Sequence, residues 1–70
     1  MKISARNQLV GTVRKVTEGA VMSEVVIELD GGQEVVSAIT AESARRLDLA
    51  KGRRVLAVVK STEVMIAVED

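Results

Sequence analysis

An all-β domain with one short helix is predicted by three features of the 70-residue sequence. β-Branched residues are dense, Pro is absent, and Gly-centred breaks divide the chain into stretches whose apolar residues mostly alternate. Residues 8–17, Gln-Leu-Val-Gly-Thr-Val-Arg-Lys-Val-Thr, read as a long first strand. Gly11 interrupts its alternation and marks either a bulge or a close backbone approach. Glu18-Gly19-Ala20 forms a turn. From Val21 the period of two is clean, with Val21, Val25, Ile27 and Leu29 on one face and Met22, Glu24 and Glu28 on the other. Asp30-Gly31-Gly32 supplies the residues of a tight hairpin, and residues 34–39 return as the third strand.

Thr40 changes the pattern. A capping residue is followed by good helix formers, and Ala41, Ala44 and Leu47 recur at helical spacing until Lys51-Gly52 closes a helix of about two turns. Residues 54–60 and 64–68 read as two further strands joined by Ser61-Thr62-Glu63. Both are apolar on two faces: Val55, Ala57 and Val59 alternate with Leu56 and Val58, and Val64, Ile66 and Val68 with Met65 and Ala67. An antiparallel sheet usually leaves one face to water, so a neighbouring subunit is expected to cover the second. Five strands with a helix between the third and fourth is the element order of an OB-like Greek-key barrel. With no linker, repeat or low-complexity tract, residues 1–70 read as a single domain.

Composition narrows the function. The chain is 47% apolar but has no Phe, Tyr or Trp, so its core is thin, and it has no Cys to staple it. A monomer of this kind supplies roughly 3–5 kcal/mol of stability at best, which again points to an oligomer. Without Cys or His there is no thiolate or imidazole metal site and no His-activated nucleophile. Ten basic and ten acidic residues cancel, and no aromatic ring is present for base stacking, which argues against nucleic acid as a partner. No apolar run is long enough to cross a membrane, and Met1-Lys2-Ile3-Ser4 lacks the apolar stretch of a secretory signal, so the expected location is cytoplasmic.

Three places hold groups suited to an anion. Ser4-Ala5-Arg6-Asn7-Gln8 combines a hydroxyl, a guanidinium and amides ahead of the first strand; Lys60-Ser61-Thr62 places an ammonium and two hydroxyls at a strand end; residues 40–43 begin a helix. Each has an ordinary alternative: a solvated approach to a strand, an edge charge, and a plain cap. Arg45-Arg46 and Arg53-Arg54 read as surface ion-pair formers beside Glu42 and Asp48, and alternation sets Glu24, Glu28 and Glu34 on a solvated face. No acid–base pair is placed for catalysis, so the chain is not expected to be an enzyme.

Taken over its whole length the sequence resembles the Mop, or molbindin, family of molybdate-binding proteins. The resemblance rests on Ser4-Ala5-Arg6-Asn7-Gln8-Leu9 with Gly11, Gly19-Ala20-Val21 leading into Glu24-Val25-Val26, Gly31-Gly32, and Lys60-Ser61-Thr62-Glu63-Val64-Met65. The same unit, also called the TOBE domain, occurs in molybdate-responsive regulators and in ATPase subunits of molybdate transporters. One copy with no second domain resembles the free-standing members.

The resemblance implies an OB-like barrel assembled as a trimer of dimers, a homohexamer, that binds molybdate or tungstate between subunits for molybdenum storage or homeostasis. On the family pattern, Ser4 Oγ and the N–H groups of Ala5 and Arg6 donate from one subunit. Lys60 supplies charge from another, with Ser61 opposite it, while Asn7 orders the loop. A further class of site near the oligomer axis draws on Gly19, Ala20, Thr40 and Ser43. The alternative is a structural or regulatory oligomeric module that acts through a protein partner.

Overall fold

The computed structural model describes residues 1–69. Its elements run β1 (Asn7–Glu18), β2 (Met22–Leu29), β3 (Glu34–Thr40), α1 (Ala41–Arg46) and β4 (Arg54–Val59), followed by a 3-10 turn, Ser61–Glu63. All strand pairs are antiparallel, in the order β3-β2-β1-β4. The two edge strands nevertheless border one groove, so the sheet curls on itself.

The long first strand serves two neighbours. Its first half pairs with β4 and all but its start pairs with β2, so Gly11 lies opposite both Leu29 and Val55. A Cβ at Gly11 would stand 2.6 Å from the Glu28 carbonyl oxygen and 2.7 Å from Ile27 Cγ2. Of the two sequence-based explanations, close approach is therefore the operative one. The bulge lies at Arg14 instead, the extra residue between Val13 opposite Ile27 and Lys15 opposite Val26. Such a bulge bends the strand and helps the sheet curl.

Val13, Val25, Ile27 and Ala57 form the core, with Val16, Leu29, Ile39, Leu49 and Val55 packed against them. They come from alternate positions on the inner faces of β1, β2, β3 and β4 and from the segment after α1, as the period of two requires. Helix α1 buries Ala41 and Ala44. Thr40 caps it by accepting a hydrogen bond from the Ser43 N–H, as expected.

Two expectations are corrected. The helix ends at Arg46 rather than near Lys51-Gly52, because Asp48 takes φ 57° and closes a paired terminal turn. The Asp48 N–H donates to the Arg45 carbonyl and the Leu49 N–H to the Ala44 carbonyl, a Schellman arrangement that needs a left-handed residue at that point. Gly52, with φ 95°, serves the following turn. The fifth strand is the second correction. Residues 64–69 pair with no strand among the described residues, and Met65, Ile66 and Val68 are 94%, 90% and 87% exposed. The 3-10 turn carries them away from the sheet, so the isolated chain is a four-stranded, unclosed version of the expected barrel.

Candidate functional site

The distance along the sequence between Ser4 and Lys60 vanishes in the fold. The β1–β4 ladder ends at Asn7 opposite Val59, so residues 4–6 and residues 60–61 leave the sheet at the same end. Two side-chain bonds shape this end. Asn7 Nδ2 donates to the Val59 carbonyl at 3.2 Å, tying the two segments together, and Gln8 Nε2 donates to the Ala5 carbonyl at 2.9 Å. The Asn7 side-chain amide is thus engaged in tying the loop to the end of β4.

The groups suited to an anion remain free. Ser4, Arg6, Lys60 and Ser61 are exposed and make no side-chain hydrogen bond or ion pair among the described residues. The N–H groups of Ala5 and Arg6 take part in no loop or turn hydrogen bond among them. Two unneutralised cations therefore stand beside unspent N–H and O–H donors, in a chain whose net charge is zero. Glu63, on the adjoining turn, pairs with neither. Because all four side chains are exposed, one chain offers an open surface rather than a cage.

The donor set suits an oxyanion held through its oxygens. It contains no carboxylate, and among the described residues no group of three His, Cys, Asp or Glu side chains could hold a bare metal ion. Tetrahedral oxyanions need donors from several directions and one or two cations, which is what these segments provide.

The second set lies at the other end of β1, no more than about 36 Å away at about 3.3 Å per residue. The Gly19 N–H donates to the Met22 carbonyl, Met22 pairs with Thr40, and the Ala41 N–H donates to the Val21 carbonyl. Gly19, Ala20, Thr40 and Ser43 are thereby gathered at one corner. Their hydroxyls are already engaged, since the Thr40 hydroxyl donates to Ser43 Oγ at 2.8 Å while accepting from the Ser43 N–H. A side chain at Gly19 would collide with the Met22 carbonyl oxygen, so glycine is required there by the turn itself.

Sequence reasoning passed over three features. Ser23, on the inner face of β2 beside this corner, is 2% exposed with its hydroxyl unpartnered among the described residues. Alternation alone places it inward between Val21 and Val25. Arg54 grips Asp30 with both guanidinium nitrogens, at 2.7 and 2.9 Å, and also donates to Thr12 Oγ1. The expected partners Glu42 and Asp48 take no part in ion pairs among the described residues, because the register, not sequence proximity, sets Arg54 beside Asp30. Arg14, the bulged residue, reaches across to Glu28 and Glu34. The Asp30 carboxyl is lowered from its ordinary value, first by the hydrogen bonds from Arg54, with desolvation opposing and the Arg54 charge assisting. Arg54 is raised in turn.

With the geometry established, the likeness to known proteins is extensive. The TOBE domain family matches residues 3–66. Molybdenum-pterin-binding protein 3 of Clostridium pasteurianum is 50% identical over 66 residues, 94% of this chain and 97% of that protein. A molybdate-binding protein from Sporomusa ovata has a similar structure, with TM-score 0.91 and 44% identity, covering 97% of this chain and 100% of that one. The cytoplasmic molybdate-binding protein ModG, solved with molybdate bound, is similar at TM-score 0.84 and 56% identity over 87% of this chain and 43% of its own. With its fold, its length and both donor segments inside the matched region, this chain belongs to the TOBE domain family.

Proposed function

We propose that this chain captures molybdate, and tungstate by the same chemistry, reversibly and without catalysis, at subunit interfaces of a cytoplasmic homo-oligomer that stores or buffers molybdenum. The observation that carries the reading is the meeting of Ser4, Arg6, Lys60 and Ser61 at one end of the sheet, with both cations unpaired among the described residues. Similarity to proteins described as molybdate-binding supports the choice of oxyanion.

The Ser4 hydroxyl and the Ala5 and Arg6 N–H groups donate from one side, and Lys60 and Ser61 from another. The metal keeps its own oxygens throughout. Since each chain presents both segments on an open surface, a second subunit closes the site and excludes water, which strengthens every charge-assisted bond. Selection against sulfate then rests on cavity size. A trimer of dimers supplies such interfaces, and Gly19, Ala20, Thr40 and Ser43 form the edge of a second class of site.

Isothermal titration calorimetry with molybdate tests the assignment. A hydrogen bond to a charged group contributes about 1.5–3 kcal/mol, so Lys60→Ala and Ser4→Ala are each expected to weaken binding by roughly 10- to 100-fold. Unchanged affinity in both variants overturns the site. A well-folded wild-type oligomer that binds no oxyanion in equilibrium dialysis overturns the function and favours a module acting through a protein partner.

A further inference from the structure

The turn between β2 and β3 sets a reactive pair in solvent. Asp30-Gly31 is the one Asp or Asn in the chain that is followed by glycine. No side chain shields a glycine nitrogen, and a Cβ built at Gly31 would meet nothing within 4 Å. The Gly32 N–H donates to the Leu29 carbonyl at 2.8 Å, which places Asp30 and Gly31 at the two central positions of the turn. The Gly31 N–H itself donates to no acceptor among the described residues. Asp48 differs, since the next N–H, that of Leu49, is engaged with the Ala44 carbonyl. What restrains the Asp30 carboxylate is Arg54, bound to its two oxygens at 2.7 and 2.9 Å and steadied by a third bond to Thr12 Oγ1 at 3.0 Å. The two side chains of the pair are 58% and 57% exposed, so water reaches both.

We propose that Asp30-Gly31 is a site of spontaneous isoaspartate formation, and that the grip of Arg54 on Asp30 slows it. The Gly31 nitrogen attacks Asp30 Cγ. Its proton leaves with the carboxyl O–H as water, and a five-membered succinimide ring closes. One water then adds back. Cleavage of the ring bond from nitrogen to Cγ restores Asp30, whereas cleavage of the bond to the Asp30 main-chain carbonyl carbon leaves isoaspartate, with no net change in mass and no reagent other than water. An ionised carboxylate is a poor electrophile, and Arg54 both favours that ionised form and engages its oxygens. Isoaspartate inserts a methylene into the main chain between β2 and β3. It also sets the carboxylate on the α-carbon, one methylene short of its former reach to Arg54, so the lesion cuts the side-chain tie between the hairpin and β4.

Wild type, Arg54→Gln and Gly31→Ala are aged in solution at neutral pH and body temperature. Isoaspartate is counted by methyl transfer from labelled S-adenosylmethionine, using a protein isoaspartate methyltransferase, and located by electron-transfer fragmentation. Product is expected at residue 30 of wild type, strongly reduced in Gly31→Ala, and formed about two- to fivefold faster in Arg54→Gln, the range that an exposed ion pair holds back. Concentrated sodium chloride is expected to speed wild type toward the Arg54→Gln rate and to leave that variant unchanged, which a merely looser hairpin would not do. In denaturing urea the two are expected to age alike. Equal rates for folded wild type and Arg54→Gln, a wild-type rate that salt does not move, or rates that still differ in urea overturn the protective role of Arg54. Absence of isoaspartate at residue 30 from both proteins, or an unchanged yield in Gly31→Ala, overturns the site itself.

Discussion

Gly11 shows how much one residue's size can matter in a thin core. Its α-carbon faces β2 on one side and β4 on the other, and the nearest atoms belong to a backbone carbonyl and to buried Ile27. Neither can move without disturbing a ladder or the core. Gly11→Ala is expected to cost about 1–3 kcal/mol through overpacking, read as a lower urea midpoint with an unchanged slope. An unaltered midpoint would show that β1 and β2 can separate there freely. The sequence singled out this glycine by its broken alternation but left two explanations open, since only strand register reveals what an added methyl group would strike. Ser4, Arg6, Lys60 and Ser61 were likewise legible as polar groups suited to an anion. That their side chains find no partner among the described residues is visible only once the sheet brings their segments together.

At the scale of elements, local chemistry explains the starts of structure better than their ends. Thr40 followed by Ser43 signals a helix cap through a bond spanning three residues, and the cap forms as expected. The helix end was misplaced because Gly52 is the conventional stop signal, whereas Asp48 adopts the left-handed conformation that an Asp tolerates. The pairing of Arg54 with Asp30 belongs to this scale too, joining β4 to the β2–β3 hairpin. Since folding lowers the Asp30 pKa, the carboxylate stabilises the fold above the unfolded value of about 3.9, and the contribution is lost as pH falls through the lower folded value. Arg54 titrates too far into alkali to add a second window. Asp30→Asn is therefore expected to lower the urea midpoint near pH 7 and to match wild type in acid below the folded pKa. A difference that persists there would assign the effect to packing rather than charge.

For the molecule as a whole, thin packing and exposed apolar surface are two sides of one fact. The buried hydrophobic set among the described residues is Val13, Val25, Ile27, Ala41, Ala44 and Ala57, all small or β-branched. Val10, Leu56 and Val58 meanwhile share an exposed outer face across the β1–β4 ladder, and residues 64–68 stand clear of the sheet. If neighbours complete the fold, stability is coupled to association, and the melting temperature is expected to rise with protein concentration. Melting curves that coincide across a hundredfold range of concentration would describe a self-sufficient monomer instead.

By itself the sequence determined the all-β class, four of the strands, the turns between them, the capped helix and the residue types of an anion site. Each of these is encoded in alternation, in Gly and Asp placement, or in side-chain chemistry acting over a few residues. Tertiary structure alone decided that residues 4–6 and 60–61 share one end, that Arg54 takes Asp30, that the bulge falls at Arg14, and that residues 64–68 leave the sheet. Those outcomes depend on register between distant strands, which is set by main-chain hydrogen bonds common to every residue. No single side chain announces them. The apolar faces of the last segment could be read from sequence, but whether the chain could cover them itself depended on where its groove and its terminal turn came to lie.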